Sequence, residues 1–175
     1  KALALCPDAV VIPPNMAKYK AVSRQIRAIF IAATPVIEPV SLDEAYLDLA
    51  EGVRLDAGPA ARSVAKIARR IELEVGITVS IGLSYNKFLA KLASDMDKPD
   101  GLTVVPSSRE EIVAFLAPLP VGRIWGVGKV TRERLEKVGI RFVGDLQSTT
   151  EQALSATLGK HSARHLIRLA TGEDE

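Results

Sequence analysis

Apolar residues recur every three or four positions between Met16 and Ala33, where Tyr19, Val22, Ile26 and Ile29 share one face. That period predicts an amphipathic helix over 16–33, with Asn15 as its cap and Pro35 ending it. The pattern then shortens. "VIEPVSL" and "AYLDL" read as two short strands separated only by Asp43-Glu44. A second helix is expected to open at Gly58-Pro59, carry a stripe of Ala60, Val64, Ile67, Ala68 and Ile71, and stop at Gly76. "ITVSIGL" (77–83) alternates apolar and small residues as a strand does. Asn86 caps a further helix to about Asp97, Pro99 stops it, and "GLTVV" is another strand. From Ser107 onward only helical segments follow, at 108–117, 130–138, 142–147, 150–157 and 160–171. The pattern therefore predicts an α+β chain. Helices lie against a mixed or antiparallel sheet in the first hundred residues, and an all-helical part begins near residues 99–106.

Composition narrows the class. The chain has 175 residues, 47% apolar and 25% charged, the balance of an ordinary soluble globular protein. Its single cysteine, Cys6, excludes an intrachain disulfide and a cysteine-cluster metal site, and fits a reducing compartment. No apolar run approaches the roughly 20 residues of a membrane span. Pro7 and Asp8 interrupt the apolar start, so it is not expected to be a signal peptide. A net charge of +2 implies no polyanion partner, but its distribution is uneven. Residues 121–168 hold nine Lys/Arg against four acids, or +5, and the remaining 127 residues sum to −3. A basic third of this kind fits nucleic-acid binding and fits equally a solvated helical face.

Three stretches carry candidate chemistry. If Asp43-Glu44 forms the tight turn between two strands, both carboxylates can project from the tip toward one site. Two-residue hairpins prefer Asn-Gly or Asp-Gly, so this pair is not explained by turn propensity. Adjacent carboxylates repel unless a cation faces them, and Mg²⁺ is held by one or two carboxylates plus substrate phosphates. Two solvated acids on a loop remain the plain alternative. In "NKFLAKLASDMDKP", Phe88, Leu89, Leu92, Ala93 and Met96 form a buried stripe, and Lys87, Lys91 and Asp95 share another face. Taken alone, that face reads as solvated. In "IWGVGK", two glycines allow a tight turn, and the amides opening the next helix form a natural phosphate site. The flanking helices and the basic window favour a phosphate clamp over a plain turn, and Trp125 is expected in the core.

"SLDEAYLD" resembles the S-[IL]-D-E-[AV]-[YF]-L-D signature of the Y-family, or translesion, DNA polymerases. "ITVSIGLSYNKFLAKLASDMDKPDGLTVV" (77–105) resembles that family's second palm block, and "IWGVGKVTRERLEKVGIRFVGDL" (124–146) its thumb helix-hairpin-helix. The resemblance implies the end of the fingers over 1–15, a palm over 16–98 and a thumb over 99–175. It implies that Asp43 ligates two Mg²⁺ ions and that Glu44 helps hold the catalytic metal near the primer 3′-hydroxyl. Lys91, and less directly Lys87, would contact the triphosphate of the incoming deoxynucleoside triphosphate. Gly126, Val127, Gly128, Lys129, Val130 and Thr131 would contact primer–template DNA.

The resemblance further implies a monomeric cytoplasmic enzyme with no membrane contact, meeting a sliding clamp through regions outside this chain. The family's first catalytic Asp, its steric gate and its little finger are expected outside the chain too, so these residues alone are not expected to polymerise. A palm-fold nucleotide cyclase and a non-catalytic DNA-binding module derived from a polymerase stay open as alternatives. The "GVGK" segment argues against the first and the intact acidic pair against the second.

Overall fold

A computed structural model describes residues 2–49 and 60–174 of the chain. The expected helix opening at Gly58-Pro59 lies outside the described residues. The chain divides into two compact units, Lys1–Arg54 and Leu55–Glu175.

In the first unit a short helix, α1 (Ala2–Leu5), precedes α2 (Met16–Ala33). The Asn15 side chain accepts the Lys18 N–H at 3.0 Å, capping α2 as its sequence position implies. Ile29 and Ala33 are buried, whereas Tyr19, expected in the same stripe, is exposed. Thr34 follows the helix and is itself buried. Its hydroxyl donates to the Asp48 carbonyl at 2.6 Å and accepts the Val36 N–H at 3.2 Å, which ties the helix end to the hairpin.

The hairpin pairs β1 (Ile37–Pro39) with antiparallel β2 (Ala45–Leu47), Pro39 opposite Ala45. Its connection is longer than the two-residue Asp43-Glu44 turn expected from the sequence. Val40 and Ser41 N–H both donate to the Glu44 carbonyl, at 2.9 and 3.1 Å, so the chain reverses over residues 41–43 and Glu44 closes the turn. The reason is steric. A two-residue type I′ turn needs positive φ at both central positions, and the only described non-glycine residue with positive φ is Asp100.

The second unit opens with α3 (Ala60–Val75), which buries Val64, Ile67 and Ile71 and ends at Gly76, φ 77°. Hydrogen-bonded strand is confined to β3 (Ile81–Leu83), shorter than the 77–83 expected, and it pairs in parallel with β4 (Leu102–Val104). Between them runs α4 (Lys87–Ser94), capped by Asn86, whose Oδ1 accepts the Leu89 N–H at 2.9 Å. The described strands thus form two separate two-stranded ladders, one antiparallel and one parallel.

Helices α5 (Arg109–Leu116), α6 (Lys129–Lys137), α7 (Val143–Gln147), α8 (Glu151–Leu158) and α9 (Lys160–Ala170) follow, with a single 3₁₀ turn at Val121–Arg123. One hydrophobic cluster runs from Phe88 and Leu89 of α4 through Leu116, Leu135 and Leu146 to Leu166 and Ala170. It runs on through Val105, within the 99–106 stretch where the sequence pattern changes from α/β to all-helical.

Strand β3 lies so close to α4 that no side chain fits at Gly82. A Cβ there would fall 2.0 Å from the Ala90 carbonyl oxygen and 2.5 Å from the Ser94 nitrogen, both backbone atoms. Gly82→Ala is therefore expected to destabilise the second unit by about 3 kcal/mol, read as a lower thermal midpoint. An unchanged midpoint would show that β3 and α4 are not packed this closely.

Candidate active site and nucleic-acid interface

The acidic turn is built by Ser41. Its hydroxyl donates to Asp43 Oδ1 at 2.6 Å and accepts the N–H groups of Asp43 and Glu44 at 3.3 and 3.1 Å. Three bonds to one hydroxyl fix both acidic residues on the backbone of the turn. Asp43 is exposed and Glu44 half-buried. Both line a small hollow of about 30 Å³ with Ser23 and Arg27 of α2. Serine at this position went unremarked in the sequence, although a hydroxyl two residues before an Asp is a recognised local turn device.

Among the described residues, no group of three or more His, Cys, Asp or Glu side chains forms a metal cage. The donor set at the turn suits a magnesium ion nonetheless. Mg²⁺ prefers hard oxygen ligands, keeps several waters, and takes few carboxylates from the protein. Asp43 keeps accepting capacity beyond the bond from Ser41.

In the second unit, α4 and the hairpin before α6 line one cavity of about 450 Å³, together with the 3₁₀ turn. Lys91 and Asp95 come from α4; Gly122, Arg123, Trp125 and Gly126–Gly128 come from the other wall. Lys87 is exposed on the preceding turn of α4 and is not among the lining residues. Lys87 and Lys91 stand four residues apart in α4 and so share a face as the sequence implies, with Lys91 lining the cavity and Lys87 outside it. The Lys91 ammonium is 3.6 Å from Asp95, and Lys98 approaches the same carboxylate at 2.5 Å. The hydrogen bond from Lys98, first of all, and then the charges of Lys91 and Lys98 hold the Asp95 carboxyl below the usual range against the opposing effect of burial.

Helix α4 is also anchored at its other end. Tyr85 hydroxyl and the Asn86 side-chain amide both donate to the Gly172 carbonyl at 2.8 Å, and Asp174 accepts the Phe88 N–H at 3.0 Å. A carboxylate at a helix N-terminus meets the positive end of its dipole.

The hairpin has three functional layers. Gly126 adopts φ 91°, a conformation L side chains rarely take. Val127 is buried and its N–H donates to the Ile124 carbonyl at 3.0 Å, so it anchors the turn from inside. Gly128 N–H donates to the Gly126 carbonyl at 3.2 Å. Gly128 then serves as N-cap of α6 without a side chain to cap it. The outward donors are therefore the amides of the first turn, at Lys129, Val130 and Thr131. Lys129 is exposed and sits 3.9 Å from Glu133, a loose pair. Trp125, expected in the core, is 77% exposed. The positive φ of Gly126 explains this, because it lets Ile124 and Val127 turn inward on either side while the indole faces out.

Part of the basic window is internally paired. Arg132 lies 3.6 Å from Glu136, and Arg164 holds Glu151 through two nitrogens at 3.1 and 3.3 Å. Arg134, Lys137, Arg141 and Lys160 are exposed.

The connection into α7 contains a titratable cap. Asp145 accepts the Arg141 and Phe142 N–H groups, each at 2.8 Å, and these bonds lower its pKa. Phe142 offers no acceptor in return, so only half a capping box exists. A carboxyl lowered on folding adds stability above its unfolded pKa, and that stability is lost as pH falls through the folded value. Asp145→Ala should therefore cost about 1 kcal/mol at neutral pH, with the gap to wild type closing in acid. Thermal melts at neutral and acidic pH check this. A gap that stays constant with pH would remove the charge from the explanation.

Residues 1–95 match the model of the impB/mucB/samB family, and residues 109–140 match the IMS family HHH motif. DNA polymerase IV of Brucella melitensis is 50% identical over 174 residues, covering 99% of this chain and 38% of that protein. DNA polymerase IV of Alkalilimnicola ehrlichii is 48% identical over 175 residues, covering 100% of this chain and 48% of that protein. The solved structure of DinB from Sulfolobus solfataricus superposes with a TM-score of 0.86 at 32% identity, over 99% of this chain and 51% of its own. An insertion ternary complex of Dbh DNA polymerase gives 0.85 at 33%, over 99% and 50%. The chain thus spans about half or less of the length of the relatives it matches.

Proposed function

The chain belongs to the impB/mucB/samB family, and from that premise we propose that it is the palm and thumb segment of a translesion DNA polymerase extending a primer 3′ end. The observation that carries this reading is the acidic turn, where Ser41 holds Asp43 and Glu44 on a rigid tip at the end of a β-hairpin. Phosphoryl transfer asks little covalent chemistry of a protein; positioning and charge stabilisation do the work. Asp43 and Glu44 would hold Mg²⁺, which supplies charge stabilisation for the attacking and leaving oxygens.

The remaining roles fall to the chain's own groups. Lys91, half-buried in its cavity, supplies positive charge for a triphosphate, and exposed Lys87 contributes from the turn before it. The first-turn amides of α6 and Lys129 bind backbone phosphates of primer–template DNA without reading its sequence. Residues 16–98 are assigned to the palm, 99–175 to the thumb and 1–15 to the end of the fingers. The neighbour solved as an insertion ternary complex supports DNA and nucleotide as substrates. The enzyme acts in the cytoplasm as a monomer, with any sliding-clamp contact made outside this chain.

Primer extension on a primed template, with and without Mg²⁺, tests the reading in the longer polymerase proposed to carry this chain. Template-directed, Mg²⁺-dependent incorporation is expected. Nucleotide turnover that needs no DNA would instead identify a cyclase, and duplex binding without incorporation would identify a binding module.

A further inference from the structure

We propose that Trp125 is a DNA contact, its indole packing against a deoxyribose of the strand whose phosphates meet the start of α6. The proposal rests on the polymerase reading and adds to it a residue that neither the acidic turn nor the phosphate-binding amides require.

Four observations carry it. Trp125 is the chain's only tryptophan, and it is 77% exposed between Ile124 and Val127, which are both buried. An aromatic side chain is among the largest apolar surfaces a protein can bury, yet the positive φ of Gly126 turns this one outward. The indole lines the cavity of about 450 Å³, whose charged side chains are Lys91, Arg123 and Asp95, with the Asp95 carboxylate 3.6 Å from the Lys91 ammonium. Its position, three residues before the N-cap Gly128, sets it next to the amides of Lys129, Val130 and Thr131. Exposed Val130 adds a second apolar side chain in that first turn.

An apolar face between cations and outward amides is complementary to a nucleic-acid strand, which alternates anionic phosphates with sugars of low polarity. A protein partner would find the same indole, but would gain nothing from unpaired helix-start amides. In a duplex the base faces are already stacked, so the group within reach of a residue beside the phosphates is the sugar. Aromatic contact of this kind is tolerant of sequence and complements a phosphate grip that is equally blind to sequence.

The sole tryptophan makes the test direct. The 175-residue chain is titrated with a short labelled duplex of mixed sequence at low salt, following duplex anisotropy and tryptophan emission together. Emission is expected to fall in step with binding, and the indole to become protected from iodide quenching. Trp125→Ala should weaken duplex affinity about tenfold while leaving the salt slope unchanged, because no charge is removed. Trp125→Phe should recover most of the loss. Both variants should melt as wild type does, since the side chain is exposed. Duplex binding with unchanged emission, or with Trp125→Ala at wild-type affinity, overturns the proposal and leaves the polymerase reading standing. Absence of duplex binding by the wild-type chain also overturns this proposal, and the polymerase reading is decided separately by primer extension in the longer protein.

Discussion

Asp43→Ala is expected to lower nucleotide incorporation at least about a hundredfold in the longer polymerase proposed to carry this chain, the scale of losing one transition-state charge contact. Affinity for primed duplex is expected to stay unchanged, because the acidic turn and the α6 amides proposed to bind phosphate are different parts of the chain. The fold is expected to be unaffected as well. Asp43 is exposed at the tip of the turn, and its carboxylate accepts a bond from the Ser41 hydroxyl at 2.6 Å. Glu44→Ala acts in the same direction. Its backbone N–H and carbonyl still close the turn, since the three bonds they make are independent of its side chain.

Ser41→Ala separates position from charge. It keeps both carboxylates but removes the hydroxyl that orients Asp43 and accepts two backbone N–H groups. Misplacement of a reacting assembly is costly even when every group is present, so a loss of roughly tenfold is expected, smaller than for Asp43→Ala. Added Mg²⁺ should recover part of the Ser41→Ala loss and none of the Asp43→Ala loss. Primer extension by the three variants across a magnesium titration checks the order. Near-normal incorporation by Asp43→Ala would remove the metal site from this turn.

The parts of the fold legible in the sequence were those set by local chemistry. Asn15 and Asn86 each cap the helix that their position announces, through side-chain bonds to the first turn, and the structure adds Ser108 and Thr150 as caps of α5 and α8. The helical period then fixed the extent of α2 and α6–α9 to within a residue or two. Pairing between distant segments was not legible. Nothing local states that β3 should meet β4 in parallel across the intervening α4, because the partner strand begins 19 residues after β3 ends.

The site divided the same way. Asp43 and Glu44 stand at a hairpin turn as their spacing implies, but the turn length depended on backbone geometry that glycine-free residues cannot adopt. Trp125 was assigned to the core because large apolar residues usually go there; one positive φ at Gly126 reversed its direction. Which of the two lysines on this face of α4 reaches the cavity was not legible, because the opposite wall comes from residues about 30 further along the sequence.

Gly128→Val is expected to reduce duplex affinity about tenfold or more while leaving the fold nearly intact. Sequence reasoning alone would assign strain to this glycine, and the structure moves the strain elsewhere. Gly128 has φ −76° and ψ −179°, a conformation open to any residue, and a Cβ there meets nothing within 4 Å. As an N-cap, valine in place of glycine costs at most about 1 kcal/mol. What the branched side chain occupies is the space in front of the Lys129, Val130 and Thr131 amides, and it holds a phosphate away from them. Hydrogen bonds to a charged partner are each worth about 1.5–3 kcal/mol, so losing one accounts for the tenfold effect.

Gly126→Val provides the contrast. At φ 91° it forces a β-branched residue into strained backbone, at about 1–3 kcal/mol, so it should lower the melting temperature as well as the affinity. Lys129→Ala is milder. It removes one cation, weakens binding about equally on unrelated sequences, and flattens the salt slope by roughly one counterion. Duplex titrations at two salt concentrations, each paired with a melting curve, separate the three outcomes. If Gly128→Val binds duplex as wild type does, the amides of α6 do not meet phosphate. If it melts as early as Gly126→Val, the hairpin is a structural turn whose glycines serve the fold alone.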